Sequence, residues 1–219
     1  DKILEPHYLG WETPEYEQQT TDKNIIVYNH RPHTYKNYPW FLEQMDKLWE
    51  QRQDFKVFTT LTNLDRPYAE RVKLSSRKEY LNFVRKMHMG VGCFKTYSAW
   101  SISTTDGLSQ GVPYVLPNKL CYPEMVGKDY PLLYNEEDFL STIKNMLDNP
   151  KAREEANTYL RPMLPDFKWD GRVAKWFTNW SFLNDLKTMG NTEGYQKVLD
   201  YVNTAHSTSK SKITKKRYQ

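Results

Sequence analysis

The chain has 219 residues, 38% of them apolar and 26% charged, with a net charge of +4. That size and balance suit one soluble domain with extensions and exclude a wholly disordered chain. No apolar run approaches the ~20 residues of a spanning helix, which argues against a membrane protein.

The positive charge is a property of one end. Residues 207–219 carry Lys210, Lys212, Lys215, Lys216 and Arg217 with no acid, so an overall +4 leaves −1 for everything before them. A basic tail of this kind is most simply a solvated terminus, and it is also a possible contact for nucleic acid. Cys93 and Cys121 fit neither a disulfide framework nor a zinc pattern, which points to a reducing, cytoplasmic setting. The chain starts at Asp1 without a signal peptide, so a longer natural polypeptide is expected.

Residues 1–23 are polar, punctuated by Pro and Gly, and read as an interdomain linker. The run N-I-I-V-Y-N at 24–29 is short and β-branched, as in a buried strand. A loop with two prolines follows. Phe41, Leu42, Met45, Leu48 and Trp49 then recur at helical spacing and give one apolar face. A second strand is expected at 55–61 and a third at 71–74. Ser75 or Ser76 is placed to cap a helix bearing Tyr80, Phe83, Val84 and Met87. A fourth strand at 89–94 contains Gly90 and Gly92. A short helix at 104–110 ends on Gly111, a C′ glycine, before a fifth strand at 112–116.

A short helix at 122–126, a sixth strand at 131–134 and an apolar-faced helix at 136–148 complete the alternation. Alternating β and α elements predict an α/β, Rossmann-like doubly wound parallel sheet over 24–150. Residues 151–206 read as a helical extension, with helices expected at 151–164, 169–183 and 192–204, followed by the basic tail 207–219.

Ligands of such sheets bind beyond the carboxyl ends of the strands, where helix N-termini point inward. Three loops lie there. The first carries Arg31 and Lys36, a guanidinium fork and a point charge suited to a diphosphate. The second offers Ser101, Ser103 and Thr104 as N-cap types, and Asp106 in the first turn, either favouring the helix dipole or accepting ribose hydroxyls. The third holds Glu124, a ligand contact or a helix cap. His30 and His33 lack further ligands nearby, so no metal site is expected. No phosphate-binding Walker loop, nucleophile elbow or zinc-protease motif occurs.

In this order the pieces resemble the C-terminal, donor-binding domain of retaining GT-B glycosyltransferases of the glycogen-synthase-like and sucrose-synthase-like group. The resemblance runs over about 160 residues, from residue 24 to about 183. That group shows G-R then Lys, where this chain has Y-N-H-R and Lys36. It shows E-G-F-G-L-x-x-x-E-A-M-A-x-G-x-P-V-V, where this chain has S-A-W-S-I-S-T-T-D-G-L-S-Q-G-V-P-Y-V. It then shows P-E-(I/L)-V, matched by Pro123, Glu124, Met125 and Val126.

The resemblance implies that Arg31 and Lys36 hold the donor diphosphate and stabilise the leaving nucleotide. It implies that the backbone at Ser101, Ser103 and Thr104 lies along phosphates and sugar, that Asp106 holds the ribose, and that the base sits near Val72. The first acid of the group's pair falls on Ser98, a departure that touches the sugar contact. It further implies a metal-independent enzyme with no cofactor, taking a nucleotide-diphosphate sugar, a UDP-sugar first. Its acceptor would be bound by an N-terminal domain that is not in this chain. A viral enzyme with a modified DNA base as acceptor, and a non-catalytic Rossmann-like binding module, are the alternatives.

Overall fold

The computed structural model describes residues 24–95 and 101–164, with the single positions 193, 196 and 200. Ser98, the linker 1–23, the aromatic segment 169–183 and the tail 207–219 lie outside the described residues. Glu193, Gln196 and Asp200 are helical, and the Gln196 amide donates to the Asp200 carboxylate at 2.8 Å. Residues 13–163 form one compact unit, and residues 1–12 with 164–219 form another.

Short β-branched and aromatic runs become strands because both faces of a parallel sheet are covered. The strands are β1 (Ile25–Tyr28), β2 (Lys56–Thr59), β3 (Ala69–Arg71), β4 (Met89–Val91), β5 (Tyr114–Pro117) and β6 (Leu133–Tyr134). All pair in parallel, in the order β3-β2-β1-β4-β5-β6. This is the doubly wound order, with its switch point between β1 and β4. β3 begins two residues before the expected 71–74. It is an edge strand, largely exposed, and has no apolar alternation to mark its register.

The helices follow their apolar stripes. α1 (Tyr38–Gln51) buries Phe41, Met45 and Leu48, and carries a proline in its first turn. α2 (Arg77–Val84) starts at Ser76, whose side chain accepts the Glu79 N–H at 3.2 Å. The Glu79 carboxylate reaches back to the Ser75 N–H and hydroxyl, a capping box shifted by one residue. α3 (Ile102–Ser109) ends as expected. Gly111 has φ 74°, and the N–H groups of Gly111 and Val112 donate to the carbonyls of Leu108 and Gly107. α4 (Tyr122–Val126) is short. The segment 136–148 is a 3-10 turn (Glu136–Asp138) leading into α5 (Phe139–Asp148) rather than one helix. α6 (Pro150–Leu160) packs on α5.

One aromatic ring holds the switch point together. A Cβ on Gly90 or Gly107 would come within 2.2 or 2.1 Å of the Tyr114 ring, so the ring fills a slot between β4 and α3. The Tyr114 hydroxyl donates to Asn29 Oδ1 at 3.2 Å. Asn29 Nδ2 donates to the Tyr80 hydroxyl (2.8 Å) and to the Ser103 carbonyl (2.9 Å). This buried amide therefore ties the end of β1 to α2, α3 and β5.

Candidate functional site

The loop leaving β1 carries Arg31, which is exposed, and Lys36, which is half-buried in the 3-10 turn Thr34–Lys36. Lys36 Nζ lies 3.8 Å from the centroid of the Phe94 ring and 5.1 Å from that of Tyr35. Phe94 follows β4, so the floor under the ammonium comes from the other side of the switch point. The Lys95 N–H donates to the Tyr35 carbonyl at 3.1 Å and joins the two loops.

Among the described residues, neither Arg31 nor Lys36 takes part in an ion pair. Burial pulls the Lys36 ammonium down to about 8. The Cys121 thiol opposes this, and the Arg31 charge adds to it. Two cations that feel each other's charge, one of them partly desolvated and, among the described residues, in no ion pair, form a site that an anion would relieve.

His30 lies buried next to them. Nε2 sits 3.1 Å from the Val91 carbonyl, and Nδ1 has no hydrogen-bond partner among the described residues. Burial, aided by the Lys36 charge, holds its pKa near 3, so the ring is neutral and Nε2–H is the donor. Among the described residues, no group of three His, Cys, Asp or Glu is placed to hold a metal.

α3 begins at Ile102, two residues before the expected 104, so that of the three cap types Ser101 is the N-cap, and its side chain caps no backbone N–H. Its hydroxyl instead accepts from Thr104 Oγ1 at 3.0 Å, and both residues are buried. Among the described residues the first-turn amides are thus without a side-chain cap, as an anion site at a helix N-terminus requires. Ser103 contributes its carbonyl to Asn29, which fixes that turn against β1.

Asp106 lies past the first turn of α3, against the expectation of a first-turn carboxylate favouring the helix dipole. It is buried, and Arg77 takes both of its oxygens in a bidentate pair at 2.6 and 2.7 Å. A carboxylate held this way has given its best acceptor directions to the guanidinium, so the pair reads as a clamp between α2 and α3 and not as an open ribose acceptor. Arg77 itself is half-exposed, which limits the stabilisation. Asp106→Asn is expected to cost about 1–2 kcal/mol in thermal unfolding. It should leave UDP affinity within about threefold in titration; a larger loss would restore the ribose contact.

Glu124 is exposed in the first turn of α4, whose N-cap Cys121 is an electrostatic neighbour of Lys36. The loop leaving β5 therefore approaches the first loop. Val72 follows β3, its N–H donating to the Thr59 carbonyl at 2.8 Å. It lies two strands from β1, or about 10 Å across the sheet, a span that a nucleoside can bridge. Sequence reasoning missed Phe94 as the floor under Lys36, Arg77 as the partner of Asp106, and Asn29 as the tie between loops.

No known protein family matches the chain, and no curated protein matches it. Solved structures do match in fold. A variant of TarM from S. aureus, in complex with fondaparinux, α-GlcNAc-glycerol and UDP, aligns with TM-score 0.64 at 10% identity, covering 77% of this chain and 37% of that one. The pneumococcal O-GlcNAc transferase GtfA, in complex with UDP and GlcNAc, aligns with TM-score 0.64 at 8% identity, over 77% and 37%. A Thermobaculum terrenum O-GlcNAc transferase aligns with TM-score 0.59 at 12% identity, over 89% and 40%. The chain therefore has the α/β, Rossmann-like fold seen in these GT-B glycosyltransferases. It spans less than half the length of these solved structures.

Proposed function

We propose that this chain is the donor-binding domain of a glycosyltransferase that uses a nucleotide-diphosphate sugar, with a UDP-sugar as the first choice. The observation that carries the reading is Lys36. It is a half-buried ammonium beside Arg31, without an ion-pair partner among the described residues, at the switch point of this fold. The presence of UDP in two of the neighbours supports the choice of nucleotide.

In this reading Arg31 and Lys36 hold the diphosphate and stabilise the charge that develops on it as the glycosidic bond breaks. That is electrostatic catalysis needing no metal. The uncapped amides at Ser101, Ser103 and Thr104 lie along the phosphates, the base rests near Val72, and Glu124 reaches the ligand from α4. The acceptor is bound by another part of a longer protein, and the retaining outcome follows the resemblance. Among the described residues no helix is long and apolar enough to cross a membrane.

Calorimetric titration with UDP, GDP and ADP tests this. Binding of UDP that persists in chelator is expected; no binding of any of the three would overturn the reading. A DNA acceptor reached through the tail 207–219 would give DNA binding that weakens steeply with salt. A second reading, a binding module without transfer chemistry, draws on Ser98 in the acid position and on Asp106 clamped by Arg77. It predicts UDP binding with no turnover of any UDP-sugar by the full-length protein.

A further inference from the structure

A cleft of about 280 Å³ opens at Asn37, the residue that follows Lys36, and shares Phe94 with the ammonium site. Trp40 of α1 lines it, with its ring parallel to that of Tyr134 (8° between planes, centroids 6.2 Å apart). Asn118 and Lys119 enter from the loop after β5, and Asn135, Glu136 and Glu137 from the loop after β6. Asn37 and Leu120, neither of them glycine, adopt left-handed backbone (φ 51° and 61°) in two of the loops that wall it. For Leu120 this is a strained conformation, of the kind that clusters at ligand sites, whereas asparagine adopts it readily.

The chemistry of the lining selects its ligand. Lys119 pairs with Glu136 at 2.7 Å, which leaves Glu137 as the unbalanced charge in the wall. A phosphate is therefore repelled here and goes to Arg31 and Lys36 instead. Three asparagine amides offer donors and acceptors together, matching groups that also do both, as hydroxyls do. The aromatic wall suits an apolar face. A neutral ring with hydroxyls around its edge and C–H groups on its faces is a sugar. The volume is near the lower edge of small-molecule sites, about 300–1,000 Å³, and accommodates one ring and not an oligosaccharide.

We infer that this cleft is a monosaccharide subsite, placed one residue from the cation that would hold the diphosphate; its link to the donor rests on the function proposed above. The sugar can come from the donor or be free. Asn118→Ala with Asn135→Ala tests the inference, because both residues are exposed; the surface bond from Asn135 Nδ2 to Asp138 Oδ2, at 3.4 Å, is long, and unchanged UDP binding controls for its loss. The full chain is titrated with UDP, UDP-glucose, UDP-N-acetylglucosamine, and the free sugars methyl glucoside and N-acetylglucosamine.

If the donor sugar sits here, the double variant binds the UDP-sugars about tenfold or more weakly and UDP unchanged. If a free sugar sits here, the variant loses binding of the free sugars and keeps the UDP-sugars. Loss of UDP and UDP-sugars alike, or no change with any sugar, overturns the subsite. Should the wild-type chain bind no UDP, the function proposed above fails and the free sugars decide alone. Their binding, lost in the variant, keeps the subsite; no binding ends it.

Discussion

Arg31→Ala and Lys36→Ala are each expected to weaken UDP binding by about ten- to a hundredfold, and the double variant to bring it below detection in calorimetry. A hydrogen bond to a charged group contributes about 1.5–3 kcal/mol, and each 1.4 kcal/mol is a factor of ten. Lys36 should show the larger loss. Its ammonium is half-desolvated already and sits on the Phe94 ring, so it gives up less water to meet a phosphate than the exposed Arg31 does.

The same variants should hardly change stability. Among the described residues neither side chain is in an ion pair, and burial opposes the charge on Lys36. A Tm within about 3 °C of wild type is expected for both. A large fall in Tm would mean that the two cations serve the fold and not a ligand.

Gly107→Ala is expected to cost about 3 kcal/mol or more. The new Cβ would come within 2.1 Å of the Tyr114 ring, and that buried ring already packs so tightly on Gly90 that a Cβ there would come within 2.2 Å of it. Overpacking of a close-packed core costs about 1–3 kcal/mol, and this contact is at the upper end of the range. The hydroxyl that anchors Asn29 moves with the ring, so the loops at the switch point are disturbed as well.

Where the resembled glycosyltransferase pattern has Ala and Val, this chain has Gly107 and Tyr114, a small residue paired with a large one. Gly107→Ala combined with Tyr114→Val should therefore be less destabilising than the sum of the two single changes. The coupling is expected to exceed about 1 kcal/mol in a double-mutant cycle. Additive effects would show that the slot is not what joins the two positions.

The alternation of strands and helices was legible in the sequence because each element carries its own period. The stripe at Phe41, Met45 and Leu48 and the C′ role of Gly111 needed no tertiary information. β3 was displaced because an exposed edge strand has no such period, and its pairing with β2 fixed its bounds. Pro39 marked a loop in the sequence and instead opens α1, since a proline fits the first turn of a helix.

Side-chain partners were not legible at all. Arg77 and Asp106 are 29 positions apart, and nothing local in either says that they meet. Asn37, Asn118 and Asn135 read as turn formers one at a time, and only the sheet order gathers them around one cleft. Arg31 and Lys36 were legible as a pair because the rule for open α/β sheets names the loop after β1 before any partner is known.

The most direct measurement of the central claim is the affinity for UDP against pH, between pH 7 and 9, with wild type and Lys36→Arg side by side. The second ionisation of a phosphate lies near 6, so the diphosphate charge is constant over this range, and the uracil ring, which loses its N3 proton only toward the alkaline end, titrates alike with wild type and variant. Lys36 in the free protein is protonated below about 8 and neutral above it, and only the charged form attracts the diphosphate. Affinity should therefore be nearly flat up to pH 7.5 and fall as pH rises through 8 and beyond, by at most about tenfold per unit. Lys36→Arg, which keeps its charge throughout, should bind with no such fall. A wild-type affinity that stays level to pH 9, or a fall of the same size in Lys36→Arg, would contradict the assignment of Lys36 as the diphosphate-binding cation.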